Sequence, residues 1–207
     1  MKIIKTYALS EKTLEKDIDK FIIAAKRGGY QYDYKYGMEG LKIIKTYFRM
    51  IQEEFDKQNY AVCRVCYKKL LFMLIQRNYN YFDYEDIIGR SKLDFEKIVT
   101  NYFACIIKLG SVEEVFNEYV EYLKVKGEPD YDYADQAIIK LLSDSDLAEF
   151  AGMVEKGAVG VKEKDYAFHD FIYFLLALAK HKKDKNAYYR LCERFGKIVG
   201  EEQKKGF

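Results

Sequence analysis

Proline is nearly absent from this 207-residue chain, which contains only Pro129. Proline removes an amide donor and clashes with the preceding helical turn, so its scarcity leaves almost every segment free to be helical. Tryptophan is missing, and 20 Tyr with 14 Phe supply the aromatic bulk. Tyrosine suits half-buried positions, where the ring is covered and the hydroxyl finds a polar partner. The longest apolar run, near 171–179, falls far short of a membrane span. The opening residues Met1-Lys2-Ile3-Ile4-Lys5 lack an apolar core of signal-peptide length. No membrane partner is expected, and the expected location is cytoplasmic, with Cys63, Cys66, Cys105 and Cys192 as reduced thiols.

Charge of one sign is also lacking. The net charge is +2, so no global field draws nucleic acid or an acidic surface to the chain. The distribution is uneven, because residues 111–158 hold 12 acids against 4 bases while both ends of the chain are basic. Hydrophobic residues at 49% and charged residues at 33% are a globular balance, and this length can bury a core without disulfide staples. The expectation is one domain over 1–207, with the small, nearly uncharged segment 157–161 as its best candidate boundary.

An aromatic-Asp-Tyr triplet occurs three times, at Tyr32-Asp33-Tyr34, Phe82-Asp83-Tyr84 and Tyr131-Asp132-Tyr133. The steps between the central aspartates are close to 50 residues, a period that points to stacked helical units. A second echo is Lys2-Ile3-Ile4-Lys5-Thr6-Tyr7, repeated at Lys42-Ile43-Ile44-Lys45-Thr46-Tyr47. Between the triplets the apolar residues recur at helical spacing. Ser10 reads as an N-cap ahead of Leu14, Ile18, Phe21 and Ala25, and Gly28-Gly29 ends that run. The stretch 30–36 alternates like a strand but is short and polar between its rings, and reads as a loop or a turn of helix. A long helix is predicted over about 38–55 and another over 60–76, the latter apolar on most sides and therefore central. Ser91 with Asp94, and Ser111 with Glu114, read as capping boxes on either side of Gly110 and so predict an αα-hairpin with a tight turn. Further helices are predicted near 133–142, 146–156, 164–180 and 185–199. The fold class is thus all-α, with about nine helices in antiparallel hairpins.

The run Gly110-Ser111-Val112-Glu113-Glu114-Val115, followed by Tyr119, Tyr122-Leu123 and Pro129, resembles the second helix of a tetratricopeptide unit. Phe103 stands where that family has a small residue, so the resemblance is one of architecture. It implies an α-solenoid of the tetratricopeptide-like class. Residues from 37 to about 104 are also similar to the helical region that accompanies SWIM-type zinc fingers, through Gly40-Leu41, the helix at 60–76 and the loop ending Asp86-Ile87-Ile88-Gly89. That similarity implies a helical partner-binding region with no catalytic residues to carry over.

Reactive constellations are scarce. Cys63-Arg64-Val65-Cys66 has neither a second pair for zinc nor the βαβ setting of a redox motif, and inside a helix its thiols act as small hydrophobes. His169-Asp170 is similar to the metal dyad of helical phosphohydrolases, but no histidine precedes it to complete a metal site. The acids Asp130, Asp132, Asp135, Asp144 and Asp146 lack the alternation and glycine of a calcium loop and fit helix N-termini instead. No cofactor, metal or catalytic residue is expected, and the chain is read as a non-enzyme. The candidate partner-binding residues are Tyr32, Tyr34, Tyr36, Tyr79, Tyr81, Tyr84, Tyr131 and Tyr133. Inter-unit loops of a solenoid fall on one edge, and tyrosines there offer a large contact area with few rotors to freeze. Within the triplets, Asp in turn suits the N-cap of the following helix. The expected function is protein–protein interaction or scaffolding, with another protein or a second copy as partner. The alternative is a nucleic-acid-associated factor using Lys26-Arg27 beside the Tyr-rich stretch and the basic run Lys180-His181-Lys182-Lys183-Asp184-Lys185.

Overall fold

The computed structural model describes residues 13–30, 34–76, 92–126, 133–159, 166–200, 204 and 206, with 34–38, 166 and 167 described by backbone alone. Among these residues there are nine helices and no strand, so the fold is all-α. They are α1 (Leu14–Lys26), α2 (Tyr34–Asp56), α3 (Tyr60–Ile75), α4 (Phe95–Leu109), α5 (Val112–Val125), α6 (Tyr133–Leu141), α7 (Asp144–Ala158), α8 (Tyr166–His181) and α9 (Lys185–Arg194). An isolated antiparallel bridge joins Gln76 to Lys126.

Side-chain caps set most of the helix starts. The Ser111–Glu114 box closes as the sequence predicts: the Ser111 amide donates to Glu114 Oε2 at 2.9 Å and the Glu114 amide to Ser111 Oγ at 3.3 Å. Two other starts differ from expectation. Thr13, rather than Ser10, caps α1, its Oγ1 accepting from the Lys16 amide. Asp94 is itself the cap of α4, accepting from the Lys97 amide at 3.0 Å, rather than the third residue of a box begun by Ser91. Of the stretch 30–36, expected as a loop or a turn of helix, residues 34–36 open α2, and 31–33 lie outside the described residues. At the other end of the chain α9 stops at Arg194, and 195–198 form turns.

Three helices end in the same way. Gly28, Gln58 and Lys183 have positive φ angles of 80, 64 and 54°. Each donates its amide back three residues, while the next residue reaches back five: Gly29 to Ala24, Asn59 to Glu54 and Asp184 to Ala179, all at 2.9–3.0 Å. This left-handed closure satisfies carbonyls that a helix end otherwise orphans. Glycine does it without strain; glutamine and lysine do not.

The contacts group into two compact units, Met1–Leu109 with Val125–Pro129, and Gly110–Lys124 with Asp130–Phe207. In the first, α3 packs on α1, α2 and α4, the central place its all-round apolarity requires. The three-residue turn after α2 sends α3 back along it, matching Phe55 to Tyr60, Ile51 to Cys63 and Phe48 to Tyr67. Fully buried Leu70 and Leu71 each contribute about 1.5–3 kcal/mol by leaving water. By comparison, Lys69 of α3, which bonds Glu15 and Asp19 of α1, is a surface ion pair of roughly 0–1 kcal/mol.

In the second unit α8 is the central helix, packed against α6, α7 and α9. Its core is aromatic: Tyr119 of α5 lies 5.5–6.2 Å from the rings of Phe150, Phe171 and Phe174. The Tyr119 hydroxyl donates to Asp135 Oδ1 at 2.7 Å, so this buried carboxylate of α6 is paired. Residues 157 and 158, expected at a boundary, form the last turn of α7, and Val159 follows in a turn.

Candidate functional site

The Tyr-rich triplets are the sharpest functional signal in the sequence. Tyr32, Tyr79, Tyr81, Tyr84 and Tyr131 lie outside the described residues. Tyr34 is the first residue of α2 and Tyr36 sits in its first turn, both placed by backbone. Tyr133 is the first residue of α6, and its side chain is half-buried. The first and third triplets therefore hold the same place relative to structure: in each, the last tyrosine opens a helix and the aspartate immediately precedes it. That is the position where a carboxylate favours the orphaned amides of a helix N-terminus.

Two basic candidates differ in how much they expose. Lys26 and Arg27 are exposed at the end of α1. Nearby Tyr30 is turned inward, with its ring 5.3 Å from Phe21. Burial, then the charge of Glu39, raises the Tyr30 phenol above its ordinary range. The turn joining α8 to α9 is more open. Lys180, His181, Lys182, Lys183 and Lys185 are all exposed, while Asp184 is committed to capping α9 through the Ala187 amide at 2.9 Å. Lys180 lies 5.2 Å from the centre of the buried Tyr188 ring, and Tyr189 beside it is 48% exposed. This turn brings a strongly basic surface next to one accessible ring.

A third group of residues, not singled out as a site by sequence, is buried among α2, α3 and α4. Asn101 donates to Gln52 Oε1 at 2.8 Å and to the Tyr67 hydroxyl at 3.3 Å, so one amide ties three helices together. Burial raises the Tyr67 phenol, partly offset by its bond from Asn101. One helical turn along each of α3 and α4 from that contact are Cys63 and Cys105, both fully buried. The Cys63 thiol donates to the Ile51 carbonyl at 3.5 Å. The Cys105 side chain holds the Cys63 thiol below the usual range, whereas Cys63 and burial push Cys105 well above it. Cys66, the other thiol of the C-x-x-C, is pushed up to about 12, mainly by burial. All four cysteines are free thiols. The structure thus turns the Cys63 thiol to the Ile51 carbonyl of α2, a partner that no local spacing signals.

His169, the candidate of the rejected metal dyad, is half-buried on α8. Among the described residues, no three His, Cys, Asp or Glu converge to hold a metal ion, and no helix is long and apolar enough to cross a membrane. Comparison with family models, with curated proteins and with solved structures gave no match.

Proposed function

We propose that this chain is a non-catalytic protein-interaction module in which helical hairpins follow an α-solenoid, tetratricopeptide-like order, and that its Tyr-rich loops bind another protein or a second copy. One observation carries this reading: two aromatic-Asp-Tyr triplets, far apart in sequence, each deliver their last tyrosine to the first position of a helix, at Tyr34 and Tyr133. A loop signature kept in step with helix starts is what a repeated binding edge requires. Tyrosine is also the residue that makes such edges adhesive.

The test compares the wild-type chain with the variant Tyr32→Ser, Tyr81→Ser, Tyr131→Ser, after circular dichroism has established equal helicity. Sedimentation velocity over a range of concentrations and affinity co-purification from the source cell are the readouts. Self-association, or a stoichiometric partner, that the variant loses by at least about tenfold supports the reading. A wild-type chain that stays monomeric and partnerless, or a partner retained fully by the variant, refutes it.

A second reading, a nucleic-acid-associated factor, is favoured by the exposed basic turn at 180–185 beside Tyr189. Binding to a single-stranded oligonucleotide would then weaken steeply with salt, by roughly 0.7 log units in affinity per log unit of salt for each phosphate neutralised. Absent or salt-insensitive binding rules it out.

A further inference from the structure

Helix α9 packs on α8 through a narrow face. Tyr188 and Cys192, one turn apart, are buried, and the segment after the helix is tied down by the Tyr173 hydroxyl, which donates to the Ile198 carbonyl at 3.4 Å. The remaining face is exposed: Lys185, Tyr189, Arg190, Glu193 and Arg194, with Lys197 just beyond the helix. Between residues 180 and 197 the chain holds 7 bases against 2 acids, in a protein whose net charge is only +2. One of those acids, Asp184, has its carboxylate turned to the Ala187 amide as the cap of α9. The left-handed closure at Lys183 joins the exposed lysines of the turn directly to the start of α9. Arg190 and Arg194 stand about 6 Å apart along the helix axis. Each is steadied by a neighbour: Arg190 Nε donates to the Asn186 carbonyl at 3.2 Å, and the Arg194 guanidinium lies 5.0 Å from the centre of the Phe195 ring. A guanidinium held in this way loses less freedom on meeting a phosphate.

We propose that the α8–α9 turn and the exposed face of α9 form a ridge for single-stranded nucleic acid, with Lys182, Lys183, Lys185, Arg190, Arg194 and Lys197 on its phosphates and one unpaired base stacked on Tyr189. This ridge, which rests on the nucleic-acid reading of the basic turn, carries that turn along a whole helix. The 10 residues of α9 add about 15 Å, a length over which positive groups can follow a strand through several nucleotides. Tyr189 is 48% exposed and braced from below by the buried Tyr188 ring, 5.9 Å away and edge-on at 87°. A braced ring gives up little freedom when a base lies on it. A duplex keeps its base faces inside its own stack. An acidic side chain engages the charges but has no ring face to lay on Tyr189. Lys26 and Arg27, the other basic candidate, lack such a platform, because Tyr30 is turned in against Phe21.

The experiment measures fluorescence anisotropy of a labelled mixed-sequence single strand, as RNA and as DNA, with the full-length chain over a range of salt. Arg190→Gln with Arg194→Gln is expected to flatten the slope of log affinity against log salt by about 1.4, or 0.7 for each phosphate released. Tyr189→Ala should weaken binding on the order of tenfold with the slope unchanged, and Tyr189→Phe should restore it, since the ring and not the hydroxyl carries the stack. Acetylation footprinting of the wild type needs no variant to fold: the strand should protect Lys182, Lys183 and Lys185 and leave the exposed Lys42 and Lys45 of α2 reactive. A chain that binds neither strand removes the nucleic-acid reading and this ridge together. Binding that survives the ridge variants but is lost in Lys26→Gln with Arg27→Gln keeps the reading and overturns the ridge. Polyglutamate held as tightly as the oligonucleotide, with Tyr189→Ala without effect, also overturns it by showing a surface that reads charge alone.

Discussion

The ring of Phe171 lies so close to Gly157 that a Cβ added at the glycine would come within 2.6 Å of Phe171 Cε2. This contact locks the last turn of α7 against α8. Phe171 is itself held by Phe116 and Tyr119, at ring separations of 6.0 and 6.2 Å, so it has little room to retreat. A methyl group added at Gly152, elsewhere on α7, would meet nothing within 4 Å.

Substitution at these two glycines should therefore have opposite signs. Gly157→Ala is expected to destabilise the protein by about 1–3 kcal/mol through overpacking, more than the helix propensity it gains. Gly152→Ala, with propensity alone at work, is expected to stabilise by up to about 1 kcal/mol. Urea unfolding followed by circular dichroism reads both. Equal effects would mean that the Phe171 ring yields freely.

Gln58 and Lys183 carry left-handed backbone strain that glycine would not, and both side chains are exposed. Gln58→Gly and Lys183→Gly should each stabilise by about 0.5–1 kcal/mol, net of the extra freedom glycine has when unfolded. Gln58→Val and Lys183→Val should destabilise instead. Thermal melts of the four variants check the sign, and a loss of stability in the glycine variants would show that these closures are unstrained.

Tyr47 of α2 donates its hydroxyl to the Asp17 carbonyl of α1 at 3.3 Å. Burial first, then the charges of Asp17 and Tyr30, pushes its phenol up to about 12. Because the folded value lies above the unfolded value near 10, this group's contribution is complete below about pH 10 and is lost as pH rises towards 12. Ultraviolet titration should show several tyrosinates forming late, and Tyr47→Phe should remove one of them, near pH 12. Stability of the variant should fall less steeply than that of the wild type between about pH 10 and 12. An unchanged late titration in Tyr47→Phe would assign that proton elsewhere.

Local rules made much of the helical skeleton legible. Tyr60–Ile75 follows from an apolar run without a polar face, and its central place follows for the same reason. The Ser111–Glu114 box is readable because both of its bonds span three residues. The start of α2 is less legible: rings and polar residues alternate around Tyr34 as in a strand, and the stretch reads as a loop or a turn of helix, whereas the backbone is helical from Tyr34 onward.

What sequence alone determined was the all-α class and most of the helix positions, because capping and apolar periodicity act over three or four residues and leave their mark in neighbouring letters. Tertiary structure decided which residues face one another. Gly157 reads as a linker residue but serves a close approach of two helices; Cys63 reads as a small hydrophobe of a helix, and its thiol donates to the Ile51 carbonyl of α2; and the amide of Asn101 joins Gln52 and Tyr67. Such pairings depend on how helices cross and how deeply each seats. Those are collective properties of packing that no short window of sequence contains.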